Sequence, residues 1–102
     1  MSQREGRTQF IILFPDFLRQ TMEELAERNY RDFTGELCVA TERYITGGIT
    51  DPPPQYEGTL RRRKLWLPEE IHKAVSVLAV QRGWSMNQVF MAAANWHVEQ
   101  EY

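Results

Sequence analysis

The chain has 102 residues, of which 42% are hydrophobic and 25% are charged, and this is the composition of one globular domain with a modest core. Its net charge of −2 excludes the class of polycationic proteins that bind nucleic acid without regard to sequence, so contact with nucleic acid requires a local basic patch. Since no apolar run reaches the length of a membrane span, no signal peptide is visible and Cys38 is the only cysteine, we expect a cytoplasmic protein without disulfides or membrane contact.

The first half of the chain begins with a polar segment and a predicted strand. Residues 1–8 have the composition of a flexible arm. The run Gln9 to Phe14 is rich in β-branched and aromatic residues, which favour strands. Pro15 ends this strand and also suits the first turn of a helix, where the missing N–H of proline has no consequence.

Two helices are predicted after this proline. Apolar residues recur at helical spacing as far as Asn29 or Tyr30, one of which must end the first helix, and asparagine tolerates the left-handed conformation better than tyrosine. Asp32 is a good N-cap for the second helix, residues 33–45. The first strand–helix–helix unit is therefore residues 9–45.

A linker and a second copy of the same plan follow. Residues 46–58 contain two consecutive glycines and three consecutive prolines, which are typical of a linker that is partly flexible and partly stiff. The second unit, residues 59–98, begins with a strand over Leu60–Leu67, and Pro68 opens its first helix. Residues 99–102 are a predicted tail.

The last predicted helix, residues 86–98, has clear signals at its start. Gly83 suits the left-handed turn that ends the preceding helix, and Ser85 and Gln88 form a capping box. The helix itself is apolar nearly all round, so we expect it to be buried on several sides. Its histidine, His97, is expected to be packed or half-exposed.

The two halves align without a gap at a single offset. Pro15 and Pro68 are 53 positions apart, and at the same offset Leu25 falls on Leu78. One strand and two helices are too few to bury a stable core, and one strand alone leaves its backbone groups unpaired. The repeat therefore predicts a mainly α fold in one domain, with the two strands paired as an antiparallel ribbon and the four helices around a shared core.

The order of elements and turn residues in the second unit resembles that of a known family. It is similar to the ribbon-helix-helix family of DNA-binding proteins, in which a strand, a proline and a helix are followed by Gly-x-Ser-x-Asn and a second helix; here the glycine is Gly83 and the asparagine is Asn87. In the first unit of this chain, residues 9–10 and 14–15 are similar to the strand of the Arc repressor. Members of this family normally dimerise, so the resemblance implies two fused protomers in a tandem ribbon-helix-helix chain, an intramolecular pseudo-dimer as in TraY-type conjugation proteins.

The resemblance implies a sequence-specific transcriptional regulator, a repressor of bacterial, phage or plasmid type, that inserts its ribbon into the major groove of double-stranded DNA. Strand alternation places successive side chains on the two faces of the ribbon. The core-facing phase holds Phe10, Ile12, Phe14, Leu65 and Leu67. The outward phase, which the resemblance makes base-reading, holds Gln9, Ile11, Leu13, Arg62, Lys64 and Trp66.

Contacts to the DNA backbone are implied at two further places. The family holds a phosphate with main-chain N–H groups at the start of the second helix of each unit, which in the second unit are those of Ser85, Met86 and Asn87. Arg61 and Arg63 flank the outward cations and are expected to help hold the backbone. Two copies of the protein on neighbouring DNA sites are expected to associate with each other.

Three outward residues depart from the family pattern. Ile11 and Leu13 are apolar where the family places polar base readers, and Trp66 is largely apolar. Such side chains can contact thymine methyl groups, but together they also form a patch that suits a protein partner. The alternative function is therefore a ribbon-helix-helix scaffold that binds a protein as an inhibitor or antitoxin-like module. Asp32 favours this alternative, because a carboxylate repels phosphate.

Other features are explained without a ligand. The basic run Arg61–Lys64 is also typical of charges that protect the edge of a sheet from aggregation. The sequence contains no nucleophile–base pair and no glycine-rich phosphate loop, and His72 and His97 have no partners at metal-ligand spacing. We therefore expect no enzymatic activity, no cofactor and no metal site.

Overall fold

The computed structural model describes residues 6–102, which form two strands and four helices. In chain order these elements are β1 (Arg7–Pro15), α1 (Asp16–Arg28), α2 (Phe33–Thr46), β2 (Leu60–Pro68), α3 (Glu69–Arg82) and α4 (Met86–Glu101). The predicted mainly helical fold with a two-stranded antiparallel ribbon is confirmed. None of the helices in this described range is long and apolar enough to cross a membrane.

The elements of the two halves begin at equivalent positions. β1 begins at Arg7 and β2 at Leu60, which is 53 positions later in the sequence, and the same interval separates the starts of α1 and α3 and those of α2 and α4. The halves differ at the ends of their helices, since α3 and α4 are slightly longer than α1 and α2. The junction between strand, proline and first helix is therefore the same in both halves.

Two elements extend by two or more residues beyond a predicted bound, while α2 and β2 each extend by one residue. β1 includes Arg7 and Thr8, which the sequence assigned to the arm, because they pair with the end of β2. α4 continues into the predicted tail as far as Glu101, where Nη2 of Arg28 donates a hydrogen bond to the main-chain oxygen of Glu101 at 3.2 Å. The rest of the predicted arm, residues 1–5, lies outside the described residues.

The register of the ribbon is centred on Ile11 and Lys64, which are directly opposite each other. Buried and exposed side chains alternate along β1 and along Leu65–Leu67 of β2, as predicted, whereas Arg61–Lys64 of β2 are all exposed. One face of the ribbon therefore packs against the helices and the other faces solvent. The core-facing set comprises the buried residues Ile12, Phe14, Leu65 and Leu67, and Phe10, which is half-buried against the core.

α4 is the central helix of the core. Its residues 89–94 are buried one after another, which a helix achieves only when neighbours cover it on all sides. It packs most extensively against α2 and also contacts α1, α3 and β1. Three consecutive alanines, residues 92–94, keep α4 narrow enough for these close contacts. The predicted burial of this helix on several sides is confirmed.

Side-chain caps define the turn within each unit. The Asp32 carboxylate accepts a hydrogen bond from the Gly35 N–H at 2.7 Å, as expected of an N-cap. The predicted capping box is present, because Ser85 Oγ accepts from the Gln88 N–H at 3.1 Å and Gln88 Oε1 accepts from the Ser85 N–H at 2.8 Å. Gly83 ends α3 in the predicted left-handed conformation, with a φ of 69°.

The turn after α1 has its left-handed residue one position later than asparagine preference predicts. Tyr30 adopts the left-handed conformation with a φ of 57°, whereas the φ of Asn29 is −95°. The Asn29 side chain instead donates hydrogen bonds to Glu36. Tyr30 precedes Gly83 by the repeat interval, so both units place the left-handed turn at the same position, and the first does so without glycine.

Candidate nucleic-acid interface

All six residues of the outward phase lie together on the solvent face of the ribbon. They form three directly opposed cross-strand pairs, Gln9 with Trp66, Ile11 with Lys64, and Leu13 with Arg62. Four of them are exposed, and Leu13 and Trp66 are half-buried. The structure therefore brings together every residue that the sequence assigned to base reading.

An apolar side chain beside two cations occupies the middle of this face. Ile11 is 37% exposed, and it lines a shallow groove of about 240 Å³ together with Arg62 and Lys64. Directly opposed side chains of an antiparallel pair have Cβ atoms about 5 Å apart, so Ile11 and Lys64 present one continuous surface. The cross-strand neighbours of the two cations, Leu13 and Ile11, carry no charge that would neutralise them.

Arg61 and Arg63 lie in the other phase of β2 and turn toward α1. The Nε atom of Arg61 is 3.0 Å from Asp16 Oδ1, and Nη1 of Arg63 is 4.0 Å from Glu23 Oε1. The Arg63 guanidinium also lies 4.3 Å from the centre of the Phe33 ring. These two arginines are therefore not brought onto the face that carries Arg62 and Lys64, and carboxylates of α1 partly balance their charge.

Asn87, in the first turn of α4, is bonded directly to the ribbon. Its Oδ1 accepts a hydrogen bond from the N–H of Leu13 at 2.8 Å, and its Nδ2 donates to the main-chain oxygen of Leu13 at 2.9 Å. These bonds satisfy an edge residue of β1 as a neighbouring strand would. They also fix the start of α4 beside the outward pair formed by Leu13 and Arg62.

The start of α4 offers main-chain donors to an anion. The first N–H groups of a helix have no intrahelical acceptor, and the helix dipole favours negative charge at this end. The Ser85 N–H already donates to Gln88 Oε1. Of the three main-chain donors predicted for a phosphate, the N–H groups of Met86 and Asn87 therefore remain. Ser85 itself acts as the N-cap.

The linker forms one wall of a cleft beside this helix start. Pro53, Pro54 and Tyr56 face the first turn of α4 across a cleft of about 580 Å³. Arg82, at the end of α3, donates from Nη2 to the main-chain oxygen of Ile49 and so holds the beginning of the linker. The linker therefore runs along the α4 side of the molecule.

The equivalent helix start in the first unit carries a negative charge. Asp32 occupies the position that Ser85 has in the second unit, and its carboxylate accepts the Gly35 N–H. A carboxylate at this point repels a phosphate that approaches the N-terminus of α2. The two helix starts beside the ribbon are thus chemically different, and the start of α4 is the one that suits an anion.

A buried ionisable pair links α2 to α4. Glu36 and His97 are completely buried, and His97 Nε2 lies 2.6 Å from Glu36 Oε2. Arg31 Nη1 donates to Glu36 Oε1 at 3.0 Å, and Asn29 Nδ2 lies within 3.3 Å of both carboxylate oxygens. Nη1 of Arg43 is 3.3 Å from His97 Nδ1, and because a guanidinium only donates, Nδ1 accepts and Nε2 donates its hydrogen to Glu36.

The pKa of the Glu36 carboxyl lies below its usual value. Burial by itself raises this pKa, because it disfavours the charged form. The hydrogen bonds from His97, Arg31 and Asn29 stabilise the carboxylate and outweigh the effect of burial. Glu36 is therefore a buried anion whose charge is held by its hydrogen-bond donors.

This cluster also has the spacing of a metal site, because ligand atoms of Glu36, His97 and Glu101 lie within 4.8 Å of one another. The surroundings of these ligand atoms, however, differ from those of a metal site. Both oxygens of Glu36 already accept from donors, and Arg43 brings a positive charge next to His97. The donor set fits an ion-pair network between helices better than it fits a cation.

Glu36 is a structurally important residue that sequence reasoning did not select. In the first turn of a helix, a glutamate is typical of a solvent-facing side chain that the helix dipole favours. The counterpart of Glu36 in the second unit is Val89, which is fully buried. An apolar residue at the equivalent position was the available signal that this side of α2 faces the core. Of the two environments expected for His97, the packed one is observed.

No protein-family model, no curated protein and no solved structure matches this chain. Function is therefore inferred from the outward face of the ribbon, from the two helix starts beside it and from the differences between the two units.

Proposed function

We propose that the chain consists of two ribbon-helix-helix units fused in tandem, which fold as an intramolecular pseudo-dimer. The equal spacing of the element starts supports this arrangement. The register supports it too, because Ile11 and Lys64 occupy the same position in the two units and are directly opposite each other. An axis relating the units would pass between these two residues. The shared left-handed turn at Tyr30 and Gly83 is a third point of agreement.

The function that this arrangement supports best is sequence-specific binding of double-stranded DNA by a transcriptional regulator, a repressor of bacterial, phage or plasmid type. One observation carries it: Arg62 and Lys64 are exposed on the solvent face of a two-stranded ribbon, beside uncharged cross-strand partners. A ribbon of two strands fits the major groove, where arginine and lysine bind the edge of guanine. The single thiol, Cys38, and DNA as the ligand both fit the cytoplasm.

The anchoring of α4 to the ribbon supports a phosphate contact in the same complex. Asn87 joins the start of α4 to Leu13, so the main-chain donors of this helix start lie at a fixed distance from the base-reading face. The start of α2 has Asp32 in the equivalent place and suits no phosphate. The protein would therefore bind one asymmetric site, with a phosphate held on the α4 side, and two copies would occupy neighbouring sites.

A selection from a pool of random duplex DNA tests this function. The wild-type protein should enrich one asymmetric sequence, and the Arg62→Ala/Lys64→Ala double variant should enrich none, because the cations that bind base edges are gone. The Arg28→Ala variant, on α1, is the control and should enrich the wild-type sequence. A wild-type protein that enriches no sequence would overturn the proposal of sequence-specific binding.

The exposed apolar residues favour a second candidate, binding of a protein partner. Ile11 is exposed on the ribbon, and Leu13 and Trp66 are half-buried on the same face. In addition, the Asp32 carboxylate disfavours a phosphate at the start of α2. An inhibitor or antitoxin-like module would use this patch. An affinity pull-down from host lysate, with the wild-type protein and the Ile11→Lys/Leu13→Lys variant as baits, tests this candidate. A stoichiometric protein partner that binds the wild type and not the variant would support it. The absence of a partner with either bait would count against it.

A further inference from the structure

We infer that the groove formed by Ile11, Arg62 and Lys64 recognises a thymine methyl group next to guanine, so that the binding site contains a thymine within two base pairs of two guanines. This inference rests on the proposed DNA binding and specifies the sequence that is read. It follows from the position of an apolar side chain beside two cations on one face of the ribbon.

The spacing of the cations sets the spacing of the guanines. Arg62 and Lys64 are two residues apart on β2 and share one face, which separates them by about 6.7 Å along the strand. Base pairs of DNA are stacked about 3.4 Å apart, so these two side chains, extended in parallel, reach guanines about two steps apart. Each cation can bind the O6 and N7 acceptors that guanine presents in the major groove.

The pairing geometry places Ile11 close to the same base pairs. Leu13 directs its N–H and main-chain oxygen outward to Asn87, so Leu13 and Arg62 form a non-hydrogen-bonded pair. Ile11 and Lys64 are two residues further along the ribbon and are therefore a pair of the same kind. Side chains approach each other most closely in such pairs, about 4.5 Å between Cα atoms. Ile11 thus contacts the base pair that Lys64 contacts, or the one next to it.

The chemistry of Ile11 selects thymine at this position. The side chain of Ile11 has no hydrogen-bonding group, and in the major groove thymine is the base that presents a methyl group. Cytosine carries only a hydrogen atom where thymine carries this methyl group, so Ile11 gains less apolar contact from cytosine. Ile11 therefore favours thymine over cytosine.

Replacement of single thymines by deoxyuridine in the selected duplex tests the inference, because it removes one methyl group and no hydrogen-bonding atom. At one thymine close to guanine, the wild-type protein should lose affinity about fourfold, the factor expected from one buried methyl group. The Ile11→Ala variant should be insensitive to this replacement, and Ile11→Val should remain sensitive. Val80→Ala, an exposed change on α3, is the matched control and should behave as wild type.

The outcomes separate this inference from the proposed function. A wild-type protein that binds the selected duplex with unchanged affinity after every replacement would overturn the thymine contact and leave DNA binding intact. Equal sensitivity of wild type and Ile11→Ala would also overturn it, since the methyl group would then be read by another residue. Absence of binding to any duplex would overturn the proposed function itself.

Discussion

Ile11 and Lys64 lie directly opposite each other in the ribbon, and they occupy equivalent positions in the two halves of the chain. An isoleucine and a lysine thus stand where a symmetric dimer would have two identical residues. The ribbon keeps the register of a symmetric pair, while the outward residues are apolar at Ile11 and Leu13 of β1 and basic at the opposed positions of β2. We expect the two strands to make different contacts with one ligand.

Arg62→Ala is expected to weaken specific DNA binding by about 1–3 kcal/mol, because Arg62 faces solvent on the side of the ribbon that we propose reads bases. Arg61→Ala removes the same charge one residue away and should cost less, since Arg61 is already paired with Asp16. Fluorescence anisotropy with the selected duplex measures both changes. Equal losses of affinity in the two variants would contradict this prediction, because they would show that net charge alone, and not the face on which the arginine lies, determines DNA binding.

Asn87→Ala is expected to lower the free energy of unfolding by about 1–3 kcal/mol, because both main-chain groups of Leu13 lose their partner. Asn95→Ala, on the same helix, removes an amide whose bond to Glu99 is on the surface, and it should change stability by less than about 0.5 kcal/mol. Urea denaturation followed by circular dichroism measures both values. Similar stabilities for the two variants would contradict the role given to Asn87.

Glu36→Gln is expected to destabilise the protein by about 3 kcal/mol at neutral pH, because it removes a buried charge from its donors. The folded pKa of Glu36 is depressed below the unfolded value of about 4.3. Its contribution is therefore present in full above that pH and is lost as the pH falls through the folded pKa.

Urea denaturation across this pH range provides the measurement for Glu36. The difference in stability between wild type and Glu36→Gln should shrink as the solution is acidified below about pH 4.3. The matched control is Glu24→Gln on the exposed face of α1, which should leave stability unchanged. A gap between wild type and Glu36→Gln that stays constant with pH would contradict a buried carboxylate with a lowered pKa.

Tyr30→Gly is expected to stabilise the protein by about 1 kcal/mol, because glycine adopts the left-handed conformation without strain. The side chain that is lost is 98% exposed and contributes almost no packing. Gly83→Ala, at the equivalent position of the second unit, should destabilise by a similar amount. Thermal denaturation of the two variants gives the sign of each effect, and a destabilised Tyr30→Gly would contradict the account of this turn.

Much of the fold could be predicted because its signals are local or repeated. Pro15 follows a β-branched and aromatic run, Pro68 stands at the equivalent point of the repeat, and Ser85 with Gln88 marks a helix start, so the sequence predicts the elements to within a few residues. The outward face of the ribbon followed from strand alternation once the two strands were expected to pair. The left-handed residue after α1 is Tyr30 rather than Asn29, and the Asn29 side chain instead donates hydrogen bonds to Glu36, a contact that the local sequence does not encode.

The remaining contacts depend on tertiary packing that short sequence patterns do not encode. Arg61 and Arg63 belong to a basic run, and only the path of α1 beside β2 brings Asp16 and Glu23 to them. Glu36 and His97 are 61 positions apart, so their pairing appears only when α2 packs against α4. In each case a residue of one half of the chain contacts a residue of the other half.

The dissociation constant of the wild-type protein and the selected duplex, measured over a series of salt concentrations, tests the central claim most directly. Insertion of the ribbon with a phosphate held at α4 predicts that the logarithm of affinity falls linearly with the logarithm of salt concentration, with a slope of about −0.9 for each phosphate neutralised. The Arg62→Ala variant should bind more weakly at every salt concentration. Affinity that is absent, or that does not change with salt, would contradict the claim that this ribbon binds DNA.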